Sequence, residues 1–235
     1  MMLEPGHIFT FCYWPGIEQY EPEVTAALRH FLRPGHTLLD CGANVGLFSV
    51  MGWDLVGASG HVVSIEANPI TFRLLQRNLA ANHCGTAVHC ALTKSPGEVE
   101  LFMPMEGDVF SSLHKGGYIT GPNIKTFRVN GRTLMEVLES LCIDHIDVMK
   151  IDIEGGELDV LRSSPCLLKN MRPVIICEYS TKTWPAFGAS AEALMQLTKE
   201  YNYKIGVFNI NTGKIDSVNN EMWRSCYLNL VLQPK

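Results

Sequence analysis

The stretch Asp40-Cys-Gly-Ala-Asn-Val-Gly46 decides the fold of this 235-residue chain. It follows the short apolar run Thr37–Cys41, which is typical of a buried strand, and it precedes apolar residues at helical spacing between Leu47 and Leu55. A glycine-rich turn between a strand and a helix lets backbone N–H groups approach a ligand closely, and a helix N-terminus favours an anionic group. We therefore expect a strand, a ligand-binding turn and a helix capped by Asn44.

The same alternation of strand-like and helix-like segments continues along the chain. Further strands are predicted at His61–Glu66, Ala87–Ala91, Ile146–Asp152, Pro173–Glu178, Lys204–Phe208 and Tyr227–Leu232. Helical patterns lie between most of them, and this order indicates an α/β protein with a mainly parallel sheet and helices on both faces. Two segments with strand-like patterns, Glu98–Met103 and Lys125–Val129, interrupt this order of strands and helices. They predict an antiparallel insertion.

The chain is predicted to form one globular domain, with residues 37–235 as its body. Residues 1–36 form an N-terminal helical segment, with a helix near Glu23–Leu32 that packs on the sheet or covers the site. Trp14-Pro15-Gly16, further towards the N-terminus, is a candidate for a lid over a substrate.

Glu66 ends the second predicted strand, 66 − 46 = 20 residues after the last glycine of the turn. An acid at this place accepts two hydrogen bonds from a ribose diol in nucleotide-binding α/β folds. The sequence lacks a phosphate-binding P-loop. The dinucleotide fingerprint G-x-G-x-x-G is broken at Asn44 and Leu47.

Four segments together are similar, in order and spacing, to the FkbM family of S-adenosylmethionine (SAM)-dependent methyltransferases: Asp40–Gly46, Glu66–Pro69, Asn78-Leu79 and Lys150-Ile-Asp-Ile-Glu-Gly-Gly-Glu157. The resemblance covers roughly residues 20–179, and the K-I-D-x-E-G segment is its most family-specific part. It implies a Rossmann-like class I methyltransferase fold, with a mostly parallel seven-stranded sheet and the insertion before the fourth core strand. It also implies SAM as cofactor and O-methylation of a small hydroxylated acceptor, such as a sugar, a glycoside or another natural product.

The resemblance also implies which residues bind the cofactor. They are Asp40, Gly42, Ala43, Asn44, Gly46, Glu66, Ala67, Asn68, Ala91, Ser112 and Asp152. The chain departs from the wider methyltransferase pattern after the third strand, where Ala91-Leu92 replaces an acid that often binds adenine. Adenine is therefore expected to contact backbone groups there. Met135 likewise stands where such sequences often have an acid.

Asp152, Glu154 and Lys150 are the predicted catalytic residues. An alcohol must lose its proton during methyl transfer, so a carboxylate within hydrogen-bond reach acts as a base. Asp152 ends the fourth core strand, and Lys150 points to the same side of that strand. Clustered carboxylates raise one another's pKa, although Glu154 and Glu157 at a helix start also fit a purely structural role.

Glu178 and His114 are the candidate substrate-binding residues. Glu178 ends the fifth strand, and His114 follows Asp108–Ser112 in the insertion, a loop placed to close over a substrate. The carboxylates at positions 152, 154 and 157 offer oxygen ligands for Mg²⁺, but their spacing requires no metal, and we expect none.

The composition excludes several functional classes. The net charge of −5 provides no basic face for nucleic acid, and no apolar run is long enough to cross a membrane. No basic residue precedes Arg29, so no secretory signal is predicted, and the eight cysteines are expected to be reduced thiols of a cytoplasmic protein. The sequence indicates no particular oligomeric state.

Two alternative functions remain open at this point. One is a SAM-binding module without catalysis, and the other is an NAD(P)-dependent oxidoreductase, which the broken glycine fingerprint disfavours. Nitrogen methylation is disfavoured because Asp152-Ile-Glu-Gly155 stands where such enzymes often carry N/D-P-P-Y.

Overall fold

A computed structural model describes residues 20–105 and 110–235 of the chain. Its helices are α1 (Pro22–Phe31), α2 (Leu47–Val56), α3 (Pro69–Ala81), α4 (Leu134–Ser140), α5 (Glu157–Arg162) and α6 (Ala191–Glu200). Its strands are β1 (Thr37–Cys41), β2 (His61–Glu66), β3 (Thr86–His89), β4 (Ala91–Leu92), β5 (Gly97–Pro104), β6 (Ile124–Arg132), β7 (Val148–Ile151), β8 (Val174–Ser180), β9 (Tyr203–Asn209), β10 (Lys214–Asp216) and β11 (Tyr227–Pro234). Short 3₁₀ turns at Trp184–Phe187 and Met222–Arg224 and a π-helical turn at Leu167–Met171 complete the described structure.

The main sheet has the strand order β10-β9-β11-β8-β7-β1-β2-β3. Neighbours from β3 to β8 are parallel, and β11 runs antiparallel to both β8 and β9. The predicted parallel sheet is confirmed, but its predicted seven strands become eight. The additional strand is β10, which forms an antiparallel hairpin with β9 at the sheet edge. It has three residues, too few to give an alternation pattern in the sequence.

The predicted third strand, Ala87–Ala91, is divided in the structure. β3 ends at His89 in the main sheet, whereas Ala91 belongs to β4 in a second sheet of order β4-β6-β5. In this second sheet β5 and β6 are antiparallel, which confirms the predicted insertion ahead of β7.

Both faces of the main sheet are covered by helices. Leu38 and Leu39 are adjacent in β1 and fully buried, but they belong to different clusters, since successive strand residues point to opposite faces. Leu38 shares its cluster with residues of α1 and α2, and Leu39 shares the other cluster with residues of α4, α5 and α6. Burial of each leucine contributes roughly 1.5–3 kcal/mol relative to exposure. Packing of helices on both faces holds the strands in place, and the site lies at the ends of these strands.

The N-terminal helix α1 packs on the sheet through Val24 and Leu28, as the sequence predicts. Trp14-Pro15-Gly16 and Asp108 lie outside the described residues. The described cysteines are all free thiols, and Cys41, Cys90 and Cys177 are buried as expected. Within residues 20–105 and 110–235, no helix combines the length and apolar character needed to cross a bilayer.

Candidate functional site

A cavity opens at the C-terminal ends of β1, β2, β7 and β8. Its empty volume is about 1140 Å³, including the open mouth. Several of its lining residues were predicted from the sequence: Gly42, Ala43, Asn44, Glu66, Ala67, Ala91, Lys150, Asp152, Glu154 and Glu178. Ligands of open α/β sheets bind at this edge, where neighbouring loops diverge.

The glycine-rich turn lies directly against the end of β7. The Gly42 and Ala43 N–H groups each donate to the Ile65 carbonyl at 2.9 Å, which holds the turn beside β2. Gly42 has a φ of 76°, and a Cβ atom there would lie 1.8 Å from the Asp152 carbonyl oxygen. Only glycine therefore permits this approach of the turn to Asp152.

Substituting Gly42 with alanine is expected to destabilise the protein by roughly 3–5 kcal/mol, because backbone strain adds to a clash with rigid backbone. Gly188→Ala is the matched control, since Gly188 has a φ of 66° but open space around it. Gly188→Ala should lower the stability by about 1 kcal/mol, because it adds only the backbone strain and no clash. Urea unfolding of both variants measures the difference, and equal costs would contradict the close approach.

Asn44 does not cap α2 as predicted. It adopts a left-handed conformation with φ 51°, and the N-cap position is Gly46, also left-handed. The Asn44 side chain instead accepts a hydrogen bond from the Val45 N–H at 2.8 Å. The helix therefore begins at Leu47, two residues later than it would if Asn44 were the N-cap.

Glu66 joins the two turns that border the cavity. Its Oε2 accepts the Asn44 N–H at 2.9 Å, and its Oε1 accepts the Asn68 N–H at 2.7 Å. Each carboxylate oxygen has further acceptor capacity for a ligand hydroxyl. Burial raises the pKa of Glu66 to about 7, against the lowering effect of these N–H groups.

The raised pKa of Glu66 gives a signed pH dependence of stability. Between about pH 4.5 and 7 the folded protein holds a proton on Glu66 that the unfolded chain has lost, so stability falls as the pH rises. Over this window the titration of Glu66 lowers the free energy of unfolding by about 3 kcal/mol. Glu66→Gln should show a shallower decline than wild type in urea unfolding across the window. Parallel declines would contradict the assignment.

Lys150 is the buried cation at the centre of the site. Its Nζ lies 3.2 Å from Asp152 Oδ2 and 3.9 Å from Asp40 Oδ1. Burial lowers the pKa of Lys150, but attraction by Asp152, Asp40 and Glu21 outweighs it and raises the pKa above its usual value. Lys150 therefore stays charged and holds Asp152 in place, which confirms that the two side chains lie on one side of β7.

Further carboxylates face Asp152 across the cavity. Burial, followed by repulsion from Asp152, raises the pKa of Glu154 to about 9 and that of Glu21 to about 7. The same two causes raise the pKa of Glu178 well above its ordinary value. The cavity thus combines one buried cation with several carboxyl groups whose protonation depends on what binds among them.

Glu157 has a structural role in the turn after β7. It is fully buried, and its Oε1 accepts the Ile153 N–H at 2.8 Å and the Gly155 N–H at 3.2 Å. These bonds close the turn in which Glu154 has a φ of 59°. The turn therefore aims Glu154 into the cavity at the cost of a strained backbone.

A family model described as the methyltransferase FkbM domain matches residues 40–205. The chain belongs to the FkbM methyltransferase family. The match includes the glycine-rich turn, Glu66 and the complete β7 turn that carries Asp152 and Glu154.

Two curated relatives illustrate the FkbM family. The hexuronic acid methyltransferase AglP of Haloferax volcanii is 27% identical over 66% of this chain and 61% of its own length. The 31-O-demethyl-FK506 methyltransferase FkbM of Streptomyces tacrolimicus is 27% identical over 57% of this chain and 62% of its own length. The chain thus spans about three-fifths of the length of the curated relatives it matches.

A solved structure supports the assignment of the fold. Precorrin-6y C5,15-methyltransferase from Geobacter metallireducens GS-15 aligns with a TM-score of 0.52 at 14% identity, over 92% of this chain and 89% of that one. At this identity the likeness concerns the fold alone. The fold is the Rossmann-like one of class I methyltransferases, as the sequence predicts.

Five predicted site residues of the FkbM domain do not line the cavity. Three of the five are Asp40, Gly46 and Asn68. Asp40 accepts a hydrogen bond from Ser49, and Asn68 caps α3. Ser112 is buried and donates to the Glu154 carbonyl at 2.9 Å, while its neighbour Ser111 faces the cavity. His114 does not line the cavity. Its ring packs edge-on against the ring of Phe187, with 4.3 Å between the two ring centroids.

The cavity lining includes residues that were not among the predicted site residues, such as Glu21, Phe110 and Phe187. Glu21 precedes α1 and enters the cavity from the N-terminal segment, and Phe110 and Phe187 add aromatic walls. Phe187 packs against the β7 turn, since a Cβ at Gly155 would lie 2.6 Å from its ring. No local pattern marks these residues, because only tertiary packing brings their segments to the sheet edge.

Proposed function

We propose that this protein is a SAM-dependent O-methyltransferase that acts on a hydroxyl of a small acceptor, such as a sugar, a glycoside or another natural product. The observation that carries the proposal is that one cavity in an FkbM domain holds both Glu66 and the Lys150–Asp152 pair. Glu66 has acceptor capacity on both oxygens, and Lys150 pairs with Asp152 at 3.2 Å.

The residues present fit the cofactor. Glu66 would bind the ribose diol through its two oxygens, and Ala91 and Leu92 line the part of the cavity assigned to adenine. Gly42 and Ala43 of the glycine-rich turn line the cavity, and their small size would let the methionine end of SAM lie close to this turn. When bound, SAM would supply an electrophilic methyl group on its sulfonium for transfer to the acceptor oxygen, with S-adenosylhomocysteine as the leaving product.

Asp152 is the proposed base. Its carboxylate would take the proton of the acceptor hydroxyl as the oxygen–carbon bond forms, and would later release that proton to water. Lys150 orients Asp152, since its ammonium lies 3.2 Å from Oδ2. Glu154, with its raised pKa, is suited to hold a proton and donate a hydrogen bond to a neighbouring acceptor oxygen.

Two features support a hydroxylated acceptor. The relatives named above act on a hexuronic acid and on 31-O-demethyl-FK506, and the second name denotes methylation at oxygen. The cavity carries carboxyl groups at Glu21, Glu154 and Glu178, which exchange hydrogen bonds with hydroxyls, beside the aromatic side chains of Phe110 and Phe187.

The test is calorimetric titration with SAM, S-adenosylhomocysteine and NADH, followed by a methyl-transfer assay over a panel of hydroxylated acceptors. We expect saturable binding of SAM and S-adenosylhomocysteine without binding of NADH, and turnover with at least one acceptor. NADH binding would instead indicate an oxidoreductase. Binding of SAM with no transfer to any acceptor class would favour a non-catalytic module.

A further inference from the structure

Three carboxylates converge beside the proposed acceptor end of the cavity. One oxygen each of Asp152, Glu157 and Glu178 lie within 4.8 Å of one another. They come from the end of β7, the start of α5 and β8, so three separate elements aim them at one point. Like charges this close cannot all stay ionised in a buried place unless a cation lies among them.

Glu157 leaves one oxygen without a partner. Its side chain is fully buried, and its two backbone hydrogen bonds both go to Oε1. Among the residues that the structure describes, Oε2 has no hydrogen-bond partner. A buried carboxylate oxygen left unsatisfied is costly, and such an atom in a native fold usually marks an ion or a water.

The nearby protein cation does not complete the cluster. Lys150 is already engaged by Asp152 and Asp40. The strongest charge effects on Glu178 come from the carboxyl groups of Asp152, Glu154, Glu157 and Glu21. The three-carboxylate cluster therefore has a deficit of positive charge.

We propose that Asp152, Glu157 and Glu178 bind a divalent metal ion of the Mg²⁺ type. Three carboxylate oxygens suit a hard cation. Adjacent oxygen ligands lie about 2.9 Å apart around Mg²⁺ and about 3.5 Å apart around Ca²⁺, so the three side chains would close around the ion when it binds. The sequence led us to expect no metal, because it does not show that Glu178 joins Asp152 and Glu157 in space.

The position suggests what the ion would do. This part of the inference rests on the proposed function, because the ion would lie beside the acceptor hydroxyl next to Asp152. Its remaining coordination sites would hold acceptor oxygens, which favours acceptors with neighbouring hydroxyls.

Binding is tested with Mn²⁺ as the probe, through loss of its free electron paramagnetic resonance signal, with Mg²⁺ and Ca²⁺ as competitors. We expect one Mn²⁺ per chain, displaced by Mg²⁺. Glu178→Gln should weaken Mn²⁺ affinity by at least about tenfold, as loss of a supporting contact alone costs 10–100-fold. Glu200→Gln, which changes an exposed glutamate at the end of α6, is the matched control and should bind like wild type.

A second measurement covers variants that fold poorly. Mg²⁺ should raise the thermal midpoint of wild type and Glu200→Gln but leave that of Glu178→Gln unchanged. Absence of saturable Mn²⁺ binding, or equal binding by Glu178→Gln and wild type, would overturn the metal site. Cofactor titration of the same samples separates the two proposals. SAM binding without Mn²⁺ binding removes only the metal, and Mn²⁺ binding without SAM binding removes only the methyltransferase assignment.

Discussion

Replacing Asp152 with asparagine is expected to lower kcat by about 10²–10⁴-fold, while the affinity for SAM stays within about threefold of wild type. Asparagine keeps the size of the side chain and an oxygen that can face Lys150 at the observed 3.2 Å. It cannot take a proton from an alcohol. The loss therefore falls on the chemical step.

The measurement is single-turnover methyl transfer with saturating acceptor, combined with calorimetry for SAM. Asp144→Asn, an exposed aspartate in the loop before β7, is the matched control and should keep full activity. A variant at position 152 that retains wild-type kcat would exclude Asp152 as the base. The search would then pass to Glu154, which lines the same cavity.

The second large effect is expected at Glu66. Glu66→Gln should weaken SAM binding by at least about a hundredfold, because two hydrogen bonds from the ribose to a charged acceptor are each worth about 1.5–3 kcal/mol. A further cost arises inside the protein. Both Glu66 oxygens accept backbone N–H groups, from Asn44 and Asn68, so the amide nitrogen of glutamine would face another donor.

Calorimetry at about pH 8 measures this effect where the wild-type carboxylate is mostly ionised, given its pKa of about 7. Glu100→Gln on the exposed side of β5 provides a glutamate control far from the two turns. Unaltered SAM affinity in Glu66→Gln would remove Glu66 from the cofactor site. It would also weaken the interpretation of the Gly42 turn, whose geometry depends on the same carboxylate.

Features encoded by local patterns were predicted well. Apolar runs gave the core strands, and a polar residue at a strand end falls at the ligand edge of a parallel sheet. Glu66, Asp152 and Glu178 were found in this way. The helix caps Asn68 and Ser190 also follow a local rule, since each directly precedes its helix and accepts a hydrogen bond from the first turn.

Features that depend on distant segments were missed. Glu21 reaches the cavity only because α1 packs on the sheet, and nothing near it in sequence records that packing. Ser111 lines the cavity, whereas the predicted Ser112 does not. Neighbouring residues of an extended segment point to opposite sides, and a shift of one residue exchanges the two sides. Glu178 joins Asp152 through the pairing of β7 with β8, a contact that a linear pattern does not display.

The buried Lys150–Asp40–Asp152 arrangement constrains how this sequence can change over time. Asp40 is fully buried, so loss of Lys150 alone would leave its charge uncompensated in the interior, a defect that typically costs 3–5 kcal/mol. Loss of Asp40 first removes that penalty. The two positions are therefore expected to be epistatic, because loss of Lys150 should cost less stability in a chain that already carries a neutral residue at position 40.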